Sequence, residues 1–272
     1  MDQTRSVNIA ALAHDPLTPA AELAAAVYSC EDPLELPVIL GLAEHRDAQV
    51  RQAVAAQLPL LADPKPQSVI TALLRLTSDP SPDVRDWACF ALGTQCPDID
   101  TPELRDALAA RLTDPDNETR CEALFGLAQR RDSRALPALH KALAGDSVWL
   151  MEIEAAGALG DPSLHTPIRG HLDGWAPADV GRVCAALRLT DPDGPGEDLV
   201  EGLADWYSHG GPHPDEPQPY WWGIALTMLN LAPHRSVELA TAVARKLTGD
   251  EAGLHALHNS GLASDAREHG WT

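Results

Sequence analysis

The 272-residue chain is long enough to bury a substantial core, and its 40 acidic against 20 basic residues give a formal net charge of −20. A field of that sign repels nucleic acid on average and steers a basic protein or a cation toward the surface. With no apolar run long enough for a bilayer and no charged-then-apolar leader, the chain reads as a soluble cytoplasmic protein without membrane association.

Alanine and leucine carry the apolar content and only 4% of residues are aromatic, which favours helices over sheets. Residues 1–45 read as a divergent first repeat with a cap, in which Asp32-Pro33-Leu34-Glu35 has the layout of a capping box. From Val50 a pattern recurs. The segments VRQAVAAQL, VRDWACFAL, TRCEALFGL, MEIEAAGAL, GRVCAALRL and WWGIALTML begin at Val50, Val84, Thr119, Met151, Gly181 and Trp221, at spacings of 34, 35, 32, 30 and 40 residues. Each ends on leucine, and its fifth residue (Val54, Ala88, Ala123, Ala155, Ala185, Ala225) is small or β-branched. Apolar groups so spaced form one face of a helix, and a small residue there lets a neighbouring backbone come close. Between them lie second helical stretches: ITALLRL, ELRDALAARL, RALPALHKAL, LVEGLADW and VELATAVARKL. Residues 46–249 therefore read as repeated helix pairs, with residues 208–219 as an insertion and 250–272 as a capping helix and tail. Of the scattered cysteines Cys30, Cys89, Cys96, Cys121 and Cys184, three fall at alanine-like helix positions, so buried thiols in a reducing compartment are expected.

The turns repeat as well. Asp79 and Asp114 stand five residues before Val84 and Thr119, each followed by proline, and Gly93 and Gly160 follow helix ends as expected left-handed stops. DPSPDVRDWACFALG, DPDNETRCEALFGL and RDSRALPALHKALAGD resemble HEAT repeats of the phycobilisome-lyase-like type. That consensus has Asp-Pro turns, a Val-Arg helix start, an Ala-Leu-Gly helix end and an Asp-x-x-Ala-Leu-Pro-x-Leu second helix. The match runs from about Val50 to Asp161 and fades to hydrophobic pattern on both sides. It implies one all-α domain over residues 1–272, a curved right-handed α-solenoid of stacked antiparallel helix pairs. Bilin chemistry does not carry over, since no residue matches a bilin site.

Arg51, Arg85 and Arg120 follow the first residue of their helices and so recur at the repeat period. The resemblance implies a structural ladder, with Asp79 and Asp114 as acidic partners; a phosphate-binding row is the alternative. Residues 6–45 hold six acids and residues 189–234 hold eight, neither with lysine or arginine, whereas 46–141 carry twelve basic and fourteen acidic residues. Exposed acidity is therefore expected at the two ends. Candidate partner-binding residues are Asp198, Glu201 and Asp205, with His213, Asp215, Glu216, Tyr220 and Trp222 at the proline-rich insertion. Trp221 and Trp222 open a helix, so at least one indole is expected in the core, while Trp87, Trp149 and Phe125 are expected to pack between repeats.

Enzyme signatures are missing: there is no HExxH, CxxC pair or GxSxG. His209 and His213 near Asp215 and Glu216, or His255 with His258, are too few and too loosely held for zinc. No cofactor and no metal is expected. The composite reading is a non-enzymatic scaffold that binds a protein or peptide, a basic one fitting best, with nucleic acid disfavoured. The alternatives are an acidic inhibitor or immunity protein that neutralises a basic toxin or nuclease, and a HEAT-like enzyme such as a DNA glycosylase or lyase.

Overall fold

A computed structural model describes residues 8–210 and 219–272, and every regular element in them is helical. The chain forms two compact units, residues 1–130 and 131–272. In the first unit, helices α1 (Ile9–His14), α2 (Ala20–Tyr28), α3 (Leu36–Gly41), α4 (Ala48–Gln57), α5 (Gln67–Leu76), α6 (Pro82–Gly93), α7 (Pro102–Ala109) and α8 (Asn117–Gln129) follow in order. Helices α2, α4, α6 and α8 pack side by side as one layer, and α3, α5 and α7 form a second. In the second unit come α9 (Ala135–Leu143), α10 (Leu150–Leu159), α11 (His165–Arg169), α12 (Pro177–Leu189), α13 (Glu197–Ser208), α14 (Tyr220–Leu231), α15 (Ser236–Lys246), α16 (Glu251–His258) and α17 (Gly261–Glu268). Here α10, α12 and α14 form one layer, and α16 and α17 pack on α13 and α15. The layering is that of an α-solenoid. No helix among the described residues is long and apolar enough to cross a membrane.

Local chemistry explains why these segments are helices. Pro82, Pro102 and Pro177 occupy first-turn positions, where no N–H is missed. Asp47, Asp116 and Asp250 accept a backbone N–H of the turn they open, at 2.9, 2.7 and 2.9 Å. All six repeat segments fall in one layer type, as α4, α6, α8, α10, α12 and α14, and all six fifth residues are fully buried. Leu92, Leu108 and Leu127 are also fully buried, each contributing about 1.5–3 kcal/mol.

Two glycines let helices approach closely. A Cβ on Gly126 would stand 2.7 Å from the Gly93 Cα, so α6 and α8 meet backbone to backbone. Gly93 is thus a packing residue inside α6, not the left-handed stop its position after leucine suggested. Gly160 is such a stop, with φ of 69°. Likewise a Cβ on Gly157 of α10 would lie 2.7 Å from the Cα of Ala186 in α12.

Other expectations are corrected. Asp32 caps a single 3-10 turn, Pro33–Glu35, which leads into α3. The five-residue α11 is too short to show a periodicity in sequence. The expected C-terminal cap and tail is two helices, α16 and α17. Trp149, expected between repeats, is 48% exposed, because it precedes α10 rather than lying on its apolar stripe.

Candidate binding surfaces

The arginine ladder is built as two bidentate rungs. Arg51 donates to both Asp79 oxygens at 2.7 and 2.8 Å, and Arg85 donates to both Asp114 oxygens at 2.8 and 2.7 Å. The third guanidinium nitrogen clamps the turn before each arginine's own helix. Arg51 takes the His45 and Arg46 carbonyls, and Arg85 those of Asp79 and Pro80. Arg120 repeats that clamp on Asp114 and Pro115 but bonds the Asn117 amide oxygen instead of a carboxylate. Burial pushes the Asp79 and Asp114 carboxyls up, but the arginine bonds and the Ser81 and Asp116 amides outweigh it and hold both below the usual range. One rung escaped the sequence reading. Arg182, at the aligned position of α12, donates to both oxygens of Glu154 at 2.5 and 2.6 Å. Its partner lies inside α10 rather than in an Asp-Pro turn, so the turn signature could not reveal it.

Arg130 is also consumed internally. Nearly buried, it reaches the carbonyls of Leu92, Gly93, Cys96, Ile99 and Gly126, closing the C-terminal ends of α6 and the loop after it. Together with Arg75 on Glu44, Arg105 on Asp100 and Arg111 on Asp114, most of the first unit's guanidinium groups face its own acceptors.

What remains is a face of α6 and α8 with carboxylates and aromatic rings and, among the described residues, no cation on it. Asp83, Asp86, Trp87 and Phe90 share one side of α6, and Glu118, Glu122 and Phe125 one side of α8. Trp87 bridges α2 and α6, edge-on to Tyr28 at 6.4 Å and to Phe90 at 5.7 Å. Asp86 and Glu122 are half-buried, and the Glu122 Oε2 is buried without a hydrogen-bond partner. Burial, then the charges of Glu118, Asp116 and Asp83, push the Asp86 carboxyl up to about 6. Burial, then Asp86 and Glu118, push Glu122 up to about 7. Among the described residues no basic group opposes either shift. Such strained carboxylates on an accessible face are a mark of functional surfaces.

The acids proposed from sequence at the C-terminal side are largely engaged. Arg188 donates to both Asp198 oxygens at 2.8 and 2.6 Å, and Lys246 bridges Glu197 and Glu201 at 2.9 and 3.1 Å. Asp205 is exposed, 3.6 Å from His209. His213, Asp215 and Glu216 lie outside the described residues. Tyr220 is 67% exposed with its hydroxyl 3.8 Å from the Cys184 Sγ. Trp222 and Trp206 meet edge-on at 4.7 Å and line a 720 Å³ cavity bounded by α13, α14, α16 and α17. Of the histidines weighed as ligands, His255 lines this cavity and His258 stacks on Trp271 at 5.2 Å.

The family model described as HEAT repeats matches residues 36–117 and 105–167 of the chain. The chain carries HEAT repeats. It is similar to Protein YibA of Escherichia coli K12, and equally to that of the O157:H7 strain, at 37% identity over 119 residues. That stretch is 44% of this chain and spans only 41% of YibA's length. The X-ray structure of E. coli YibA superposes with a TM-score of 0.55 and 29% identity, covering 67% of this chain and 66% of that one. The HEAT-repeat match embraces the Arg51–Asp79 and Arg85–Asp114 rungs and the Asp86–Glu122 face, whereas Arg182 and the C-terminal cavity lie beyond it.

Proposed function

We propose that the protein is a non-enzymatic HEAT-repeat scaffold whose α6–α8 face receives a basic segment of a protein partner. The observation that carries this reading is the pair Asp86 and Glu122: half-buried, raised by burial, without a countercharge among the described residues, and flanked by Trp87 and Phe90. A docking guanidinium would supply the missing charge and lie against the indole, a contact worth about 0.5–2 kcal/mol. Arginine suits the site better than lysine because its planar head serves a carboxylate and a ring together. The remaining surface acidity would steer such a partner rather than bind it.

The test is affinity capture from the source cells on two baits, the wild-type chain and the Asp86→Asn/Glu122→Gln double variant. The reading expects a basic protein retained by the wild type, released by moderate salt and lost on the variant. Identical proteins on both baits, or retention indifferent to salt, would contradict it.

A further inference from the structure

The cavity of the second unit is a separate feature, and its lining is unusual for an acidic chain. Trp206 and Trp222 line it, Leu226, Leu229 and Leu262 add apolar wall, and Asp265 and His255 are its ionisable lining groups. Neither lysine nor arginine lines it among the described residues. The aromatic wall is rigidly seated. Gly202 has no side chain because Trp221 fills that space: a Cβ there would lie 2.7 Å from the Trp221 ring. Trp221 in turn meets Trp206 edge-on at 5.7 Å and Trp222 at 6.5 Å. The two cavity-facing indoles are therefore held by a third whose position glycine permits.

Charge distinguishes Asp265 from its neighbours. Asp250 accepts from the Ser208 hydroxyl and the Gly253 amide, and Glu197 and Glu201 share Lys246. Asp265 has no such partner among the described residues. A volume of 720 Å³ with apolar walls and a few polar groups is the size and character of small-molecule sites. Rings that offer π-faces beside one uncancelled carboxylate select a positive charge carried on an apolar body.

We propose that this cavity binds a small organic cation, an alkylated ammonium with a hydrophobic body, with Trp206 and Trp222 around the cationic head and Asp265 as its counter-ion. The site is independent of the α6–α8 face and stands whether or not that face binds a basic protein.

The test compares benzyltrimethylammonium with its uncharged carbon isostere, neopentylbenzene, each titrated into the full chain while the indole N–H resonances are followed by NMR. The cation should bind about tenfold more tightly than the isostere and shift the Trp206 and Trp222 signals. Asp265→Asn, a change at an exposed position, should cut that preference by about threefold or more, the indoles keeping the rest. Leu226→Trp, starting from a side chain 41% exposed, should fill the cavity and abolish both. Equal binding of the two ligands to the wild type, no indole shifts with either, or a cation preference undiminished by Asp265→Asn would each overturn the proposal. If Leu226→Trp fails to fold, the Asp265→Asn comparison decides alone.

Discussion

Asp114 accepts two bonds from Arg85 and a third from Arg111, with its side chain only 2% exposed, so its loss would strand a buried guanidinium. Asp114→Ala should cost about 3–5 kcal/mol, measured by urea unfolding, because breaking a buried pair leaves an uncompensated charge. Glu154→Gln should cost far less, about 1 kcal/mol, since Arg182 is 44% exposed and keeps solvent. Asp86 and Glu122 act in the opposite sense. Their folded values of about 6 and 7 lie above those of the unfolded chain, so the folded chain holds protons the unfolded one has released between about pH 4 and 7. Their contribution to stability is therefore fully present below about pH 4 and is lost as pH rises through 7, while His234, held down at about 4 by burial, contributes in the opposite sense between about pH 4 and 6.5. Below about pH 4 the lowered carboxyls Asp79 and Asp114 take protons and stability falls again. Asp86→Asn/Glu122→Gln should flatten the neutral limb and raise stability at pH 8 by about 1 kcal/mol per residue, allowing for solvent screening. Unfolding midpoints across pH 4–8 check this, and an unchanged slope in the double variant would remove these two groups as its cause.

Between α6 and α8 the contact is Gly93 on Gly126, where helix propensity and packing make opposite demands. Alanine would favour an isolated helix by about 1 kcal/mol, but its Cβ would meet backbone at 2.7 Å, and overpacking of this kind costs about 1–3 kcal/mol. Gly126→Ala should therefore destabilise the chain despite its better propensity, as a lowered thermal midpoint would show. Helices α4, α6, α8, α10, α12 and α14 were legible in the sequence because each repeats leucine and a small or β-branched fifth residue at fixed positions. The arginine–aspartate ladder was legible for the same reason, at Arg51–Asp79 and Arg85–Asp114. Features that occur once were not. Helix α11 has too few residues for a period, and the Gly93–Gly126 contact depends on two helices 33 positions apart meeting at one point. Glu154 lies off the turn position that marked its counterparts.

Charge shows why the α6–α8 face stayed hidden. Residues 46–141 are nearly balanced by count, twelve basic against fourteen acidic, so net acidity along the chain is concentrated toward its two ends. In three dimensions the bases of the first unit are spent on turns, carbonyls and ladder acids, so the balance does not reach the surface beside Trp87. At the other end the reverse holds: Asp198 and Glu201 sit in internal pairs, and the uncancelled acid, Asp265, is one that no charge run flagged. Docking of a basic segment, as proposed, turns on Asp86 and Glu122 being carboxylates in want of a cation. The most direct measurement is a ¹³C NMR titration of the side-chain carboxyls, alone and with an arginine-rich peptide. Midpoints near 6 for Asp86 and near 7 for Glu122, both falling when the peptide is added, are the predicted result. Midpoints at about 4, the ordinary range for these groups, with no response to the peptide, would contradict it.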